Sequence, residues 1–118
     1  MHLSVCPPRA CPLPDTCPDC PQVAPREVKY YISKANKYGT PLDPRHTYVK
    51  TDWLSWGAAM ADNEEDFHAI MDPIFKFANE TSTRVPFTDL YDTTTGRAAS
   101  SAFVARPVMG GLFAKMLV

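Results

Sequence analysis

The sequence predicts an all-α protein of three to four helices with long loops, preceded by a disordered N-terminal arm. Apolar residues recur at helical spacing through residues 26–118, and no convincing alternating strand pattern appears there. Residues 1–25 contain seven of the twelve prolines, all four cysteines and no aromatic residue. We therefore divide the chain into a Pro/Cys-rich arm, residues 1–25, and a helical domain, residues 26–118.

Proline dominates the arm, and it favours a disordered or extended chain because it removes a backbone donor and restricts its neighbour. Cys17 and Cys20 form a Cys-x-x-Cys pair, which can bind zinc or cycle as a redox pair. Cys6 and Cys11 are spaced too widely to complete a zinc ribbon. We expect no metal; two disulfides and a zinc-binding arm on a helical interaction module remain as weaker alternatives.

The first helix is predicted from Arg26 to Tyr38, and Gly39 stands where a left-handed C-terminal cap belongs. The two prolines and one glycine of residues 39–47 predict a structured loop after it. Thr51 is expected to cap a second helix that runs to about Ala61.

Three large apolar residues of the second helix, Trp53, Trp56 and Met60, are expected to mark its buried side. The whole domain is rich in aromatic residues, with two tryptophans, five tyrosines and six phenylalanines. So many for so small a bundle indicate faces that meet further structural elements.

Asn63 is the predicted cap of a third helix, which has acidic residues near its positive end. Pro73 lies inside this helix and is expected to kink or divide it. The apolar stripe of the helix consists of Phe67, Ile70, Met71, Ile74 and Ala78.

The C-terminal third is predicted as a polar loop with aromatic anchors, Pro86 to Gly96, and a last short helix, Gly111 to Val118. Between them, Phe103 to Val108 could be extended. The pair Gly110 and Gly111 is too short for a phosphate cradle and more simply permits close packing or a helix start.

Charge and hydropathy exclude several classes of partner. A net charge of -1 and a pI near 6.3 give no electrostatic reason to expect nucleic acid or an anionic membrane. No apolar run approaches the roughly 20 residues of a membrane helix. The first residues have no apolar core of a signal peptide. We also find no nucleophile elbow, P-loop or dinucleotide fingerprint.

Residues 43–52 hold an acid, a base, cations and hydrogen-bond donors together: Asp43, Arg45, His46, Tyr48, Lys50 and Asp52. A carboxylate beside a histidine can orient it as a general acid or base. Asp89, Tyr91 and Asp92 form a second cluster, and carboxylates from both loops could share acid and base chemistry. Metal ligation is not expected, because His46 lacks a second histidine at ligand spacing.

A structural interpretation of the same loops stays open. Asp43 before Pro44 could bond only to its own backbone, and Arg45 with Asp52 could be a structural ion pair. Asn79, Glu80 and Thr81 match the N-glycosylation sequon, which matters if the protein is secreted.

Three motifs carry a resemblance to a known family. The segment YGTPLDPRHTYVKTDW, Tyr38 to Trp53, closely resembles a segment of the fungal glutaminase A family that reads close to YGVPLDSRHTYTKSDW. PFTDLYDTTTG resembles the family's PFPDWYDT or PFTDLYDT segment, and FVARPVMGG resembles its F-x-ARPVVGG. The resemblance covers about Val28 to Leu117, in the same order.

The resemblance implies that residues 26–118 are a C-terminal fragment of a glutaminase A-like helical domain, a partial α/α toroid like that of six-hairpin glycosidases. It implies hydrolysis of L-glutamine to L-glutamate and ammonia, without a cofactor, in an extracellular setting. The substrate would be a small amide or sugar-like molecule, and the partners would be N-terminal domains of the same protein.

Among the matching polar positions we predict two groups of site residues. The predicted catalytic residues are Asp43, His46, Asp52 and Asp92. The predicted substrate-binding residues are Arg45, Tyr48, Lys50, Asp89 and Tyr91.

Three departures from the family pattern stand out: Leu112 where a histidine is frequent, Lys115 in a usually apolar helix, and Pro73. We expect little activity from this chain alone. The alternative is a non-enzymatic truncated paralogue or a misread reading frame.

Overall fold

Helices dominate the computed structural model, which describes residues 23–83, 87–100 and 103–118. Two short strands form an antiparallel pair in which Val49 lies opposite Tyr91. No helix in these ranges is long and apolar enough to cross a membrane. In chain order the elements are α1 (Val23–Ser33), β1 (Tyr48–Lys50), α2 (Thr51–Ala59), α3 (Glu64–Glu80), β2 (Leu90–Asp92) and a C-terminal 3-10 helix (Pro107–Leu117).

The predicted start and end of the first helix differ from those of α1. The helix begins at Val23, because Pro25 falls in the first turn, where a missing backbone N–H leaves no hydrogen bond unmade. It ends at Ser33 rather than Tyr38. Most of the predicted arm, residues 1–22, lies outside the described residues, so its disorder and its cysteines stay predictions.

Gly39 has the positive φ predicted for it, but it closes a turn and not a helix. Its φ is 122°, and its backbone exchanges hydrogen bonds with Asn36. The turn brings Tyr38 into the core, where its carbonyl accepts a 2.8 Å hydrogen bond from the buried Tyr91 hydroxyl.

The buried side of α2 is the opposite of the predicted one. Trp53 is 52% exposed, Trp56 49% and Met60 39%, whereas Leu54 and Ala58 on the other side are buried. The buried side of α2 carries the polar residues Thr51, Asp52 and Ser55, whereas the large apolar residues lie outside, so the apolar pattern did not show which side meets the core. The predicted Thr51 cap is also wrong: Lys50 is the cap residue, it makes no side-chain cap bond, and Thr51 is the first helical residue.

Asn63 caps α3 as predicted, and its side chain accepts a 2.8 Å hydrogen bond from the backbone of Asp66. The helix continues through Pro73 as one element of 17 residues, so the expected division does not occur. Ile70 and Ile74 are buried as expected, but Phe77 takes the core position predicted for Ala78, which is exposed.

Phe77 and Tyr91 form the centre of the core. Their rings stack with centroids 3.7 Å apart and an interplanar angle of 2°. The stack joins α3 to β2, and Val49 of β1 is buried beside it. Sequence analysis missed these strands because three residues are too few to establish an alternating pattern.

The C-terminal 3-10 helix begins at Pro107, four residues before the predicted start at Gly111. Its backbone packs against the first turn of α2: a Cβ added to Gly111 would lie 2.8 Å from the Asp52 Cβ. The close packing predicted for the glycine pair is therefore confirmed at Gly111. Val104 pairs with Thr88, so part of the segment from Phe103 is extended as expected.

Replacing Gly39 by alanine should destabilise the protein, because a side chain at φ 122° is strained and its Cβ would lie 2.8 Å from Leu54 Cδ1. We expect a loss of about 1–3 kcal/mol in the free energy of unfolding, measured with urea. The control is Gly110→Ala, where a Cβ meets nothing within 4 Å. That variant should be neutral or stabilised by up to about 1 kcal/mol; equal losses in both would contradict the turn geometry.

Candidate functional site

Four charged side chains meet where β1, α2 and the segment before the 3-10 helix converge: Lys50, Asp52, Asp89 and Arg106. We call them the ionic cluster. The Lys50 Nζ lies 3.5 Å from Asp52 Oδ2 and 3.9 Å from Asp89 Oδ2. Sequence analysis placed Lys50 and Asp52 in one loop and Asp89 in another; the pairing of β1 with β2 brings them together.

Asp89 is the junction of the cluster, with a side chain that is 0% exposed. Arg106 donates two hydrogen bonds to the Asp89 carboxylate. The bond from Nε to Oδ1 is 2.9 Å long, and the other joins Nη2 to Oδ2. These bonds hold the pKa of the Asp89 carboxyl below its usual range, against the opposite effect of burial. The Asp89 backbone also bonds to Thr51 and Phe103, so it links α2 to the C-terminal segment.

Asp52 is the carboxylate whose hydrogen bonding is incomplete. Its side chain is 2% exposed, and among the described residues its ion-pair partner is Lys50 at 3.5 Å. Its Oδ1 atom is buried and has no hydrogen-bond partner among the described residues. An ionised carboxylate only accepts hydrogen bonds. The Oδ1 atom of Asp52 can therefore accept one from a donor such as water or an N–H group.

Local geometry aims Arg106 at Asp89. Ala105 adopts a φ of 50°, the left-handed region that alanine rarely enters, and its backbone N–H bonds to the Phe87 carbonyl. The Phe103 ring lies 4.2 Å from the Arg106 guanidinium carbon, an arrangement that favours the cation. Arg106 was not among the predicted site residues, although it is the single charge inside the otherwise apolar motif FVARPVMGG.

The predicted residues Asp43, Arg45 and His46 lie apart from the cluster on the loop before β1, and Tyr48 is the exposed first residue of that strand. Asp43 accepts a 2.8 Å bond from the Arg45 backbone and pairs with its guanidinium, so it does bond to its own backbone. The alternative pairing of Arg45 with Asp52 is wrong. His46 stacks on Tyr48 with ring centroids 5.9 Å apart, and within the described ranges no carboxylate hydrogen bond orients it.

Asp92 and Tyr91 have structural surroundings. Burial would raise the pKa of Asp92, but hydrogen bonds from Thr47, Thr94 and the backbone of Thr95 outweigh it and lower the pKa strongly. Tyr91 is fully buried, and burial raises the pKa of its hydroxyl. Their predicted roles in catalysis and substrate binding are untested.

Two open grooves on the described surface have no lining residue from the ionic cluster. The first, about 340 Å³, runs along Trp53, Trp56 and Met60. The second, about 590 Å³, is lined by Asp43, Arg45 and His46 among others.

The predicted glycosylation site and the weaker zinc-binding alternative both stay untested. Asn79 is exposed near the end of α3, while the Thr81 of its sequon is buried and bonds to the Gly96 carbonyl, so glycosylation stays a prediction. Within the described ranges no group of three or more metal-ligating side chains occurs, and the four cysteines lie outside them.

A helical fold with short paired strands and a buried ionic cluster defines the class: a mostly α-helical domain with acid and base groups at a junction of loops. Residues 18–116 match the family model of the glutaminase A six helical-hairpin domain, and the chain belongs to this family. The resemblance seen in the three motifs, and the six-hairpin fold class it implied, are confirmed.

Two curated relatives agree with this assignment. The chain is 46% identical over 92 residues to glutaminase A of Aspergillus oryzae and 42% identical over 90 residues to a probable glutaminase of Arthroderma benhamiae. Each match uses 75% of this chain but spans only 13% and 10% of the respective relative. No solved structure matches the chain significantly.

Removing the Arg106 charge should leave the buried Asp89 carboxylate without the partner that donates two hydrogen bonds to it. We expect Arg106→Met to cost about 3 kcal/mol of folding free energy in urea unfolding, the lower end of the effect of breaking a buried pair, because Arg106 itself keeps partial solvent contact. Adding Asp89→Asn to that variant should recover part of the loss. The exposed Arg97→Met is the control and should change stability by no more than about 0.5 kcal/mol; equal losses would refute the assignment.

The Asp43 carboxyl should titrate unusually low, because hydrogen bonds from Arg45 lower its pKa from 3.8 to about 2. Since the folded-state pKa is depressed, the pair stabilises the fold above the ordinary pKa, and that contribution disappears as the pH falls through about 2. Carbon-13 NMR should follow this titration, and Arg45→Gln, which removes the guanidinium but keeps the backbone hydrogen bond, should raise the midpoint part of the way toward 3.8. Arg97→Gln should leave it unchanged; a midpoint near 3.8 without any substitution would contradict the pairing.

Proposed function

We propose that this chain forms one wall of the active site of a glutaminase A-type amidohydrolase, which converts L-glutamine to L-glutamate and ammonia. The observation that best supports this proposal is that the three family motifs meet in the ionic cluster. The motif Tyr38 to Trp53 supplies Lys50 and Asp52 to the ionic cluster, the PFTDLYDTTTG motif supplies Asp89, and FVARPVMGG supplies Arg106. Support for the reaction comes from the names of the relatives, a glutaminase A and a probable glutaminase.

Asp52 is the proposed general base. Its unpartnered Oδ1 would accept a hydrogen bond from a water molecule and take its proton as the water oxygen attacks the amide carbon. The proton then passes to the amide nitrogen as the carbon–nitrogen bond breaks, which releases ammonia and leaves the carboxylic acid. Lys50, whose Nζ lies 3.5 Å from Asp52 Oδ2, would place a positive charge where the carbonyl oxygen becomes negative.

Asp89 and Arg106 would position this pair rather than touch the reacting atoms. Arg106 satisfies both oxygens of Asp89, so Lys50 lies closer to Asp52 than to Asp89. In the exposed loop, Arg45 would bind the carboxylate of the substrate, and His46 would assist proton transfer at the wall of the second groove.

Residues 1–118 alone should not hydrolyse glutamine. The chain spans only about a tenth of the length of its relatives, and its Asp52 side chain is buried. Further domains of a glutaminase A-type protein would complete the cleft. An extracellular setting is proposed on the resemblance alone.

A second candidate is a non-enzymatic domain in which the ionic cluster only holds the fold together. The observation that favours it is burial: neither carboxylate of the cluster is open to solvent. The two candidates differ in what an Asp52 substitution does.

The test uses a chimera in which residues 23–117 replace the matching segment of the Aspergillus oryzae protein. Ammonia release from L-glutamine is expected for the chimera and not for the 118-residue chain. In the chimera, Asp52→Asn should lower kcat by about 100-fold or more, the usual contribution of a general base, while the melting temperature stays nearly constant.

Asp62→Asn, which changes an exposed carboxylate in the turn between α2 and α3, is the matched control and should retain activity. If Asp52→Asn lowers the melting temperature and activity falls only in proportion to the folded fraction, the structural candidate is correct. Retained kcat in a folded Asp52→Asn chimera would also overturn the catalytic proposal.

A further inference from the structure

The α2 helix is apolar on two opposite sides. Leu54 and Ala58 face the core, while Trp53, Trp56 and Met60 recur three and four residues apart along the exposed side. An apolar stripe along a helix normally packs against another structural element. About half of each indole nevertheless remains in contact with solvent.

The exposed residues form a ridge beside a groove. The two indole rings lie 5.6 Å apart at 45° to each other, and the groove of about 340 Å³ runs between them and the side chains of Tyr31, Pro41 and Leu42. We call the following six residues the outer α2 face: Tyr31, Pro41, Leu42, Trp53, Trp56 and Met60. Helices pack by fitting the ridges of one into the grooves of another, so this relief suits a helix.

The groove beside the outer α2 face is uncharged. None of the ten residues that line the groove is charged. Contiguous exposed apolar surface with large aromatic residues is typical of a site that binds another protein element. The complementary surface must therefore be apolar as well.

We propose that the outer α2 face is the docking surface for another helical hairpin of the six-hairpin domain, which inserts apolar side chains at helical spacing into the groove. A domain of six hairpins has twelve helices, whereas the described ranges contain three α-helices and one 3-10 helix. The remaining hairpins are thus the partners whose chemistry matches an uncharged ridge and groove. The inference depends on family membership and on the exposed face, not on the proposed activity.

Hydroxyl-radical footprinting read by mass spectrometry tests the docking. Trp53, Trp56 and Met60 should oxidise rapidly in the 118-residue chain. In the chimera with the Aspergillus oryzae protein their oxidation should fall about tenfold or more, because a docked helix excludes water. Tyr91, already fully buried, is the internal reference and should stay protected in both proteins.

Three outcomes would overturn the proposal. One is equal oxidation of Trp53 and Trp56 in the chain and in a chimera that releases ammonia, a result that leaves the proposed function intact. Another is a dimer of the 118-residue chain in sedimentation with both indoles protected, which would make a second copy the occupant. If the chimera does not fold, footprinting of native Aspergillus oryzae glutaminase A replaces it, and high exposure at the positions aligned with Trp53 and Trp56 refutes the docking.

Discussion

Asp89 is the point on which the arrangement of this molecule depends. Its carbonyl accepts a hydrogen bond from Thr51 at the start of α2, its N–H donates to Phe103, and its carboxylate holds Arg106. A fully buried carboxylate is tolerated only when it is paired and hydrogen-bonded. The backbone and the carboxylate of this one residue therefore hold together segments that are distant in sequence, at Thr51, at Asp89 itself and from Phe103 to Arg106.

The aromatic core does for the helices what Asp89 does for the loops. Tyr91 stacks on Phe77 of α3 and donates its hydroxyl proton to the Tyr38 carbonyl, which follows α1. The same strand pairs with β1, so the core and the ionic cluster share one support. Distortion of the core at Tyr91 would be passed to Asp89, two residues away, and from there to the candidate base Asp52.

The sequence predicted those features that depend on local chemistry. Four such features each depend on one residue and its neighbours. They are the Asn63 cap, the positive φ of Gly39, the close packing at Gly111 and the hydrogen bond that Asp43 accepts from the nearby backbone. The family motifs predicted the domain class. Features that depend on distant partners were not predicted. They are the two three-residue strands, the Arg106 contact with Asp89, and the side of α2 that meets the core. In α2 the large apolar residues are exposed while Asp52 and Ser55 are buried, so its hydrophobic pattern indicated the wrong orientation.

The position of the tryptophans has a consequence for how this protein is observed. The sequence has only two, Trp53 and Trp56, and both lie half-exposed on one side of a single helix. The core aromatics are Tyr91, Phe77 and Tyr38, which contribute little to emission excited above the tyrosine band. Intrinsic fluorescence of this chain is thus a local reporter of the α2 surface, and the melting of the interior has to be followed by the backbone signal of circular dichroism.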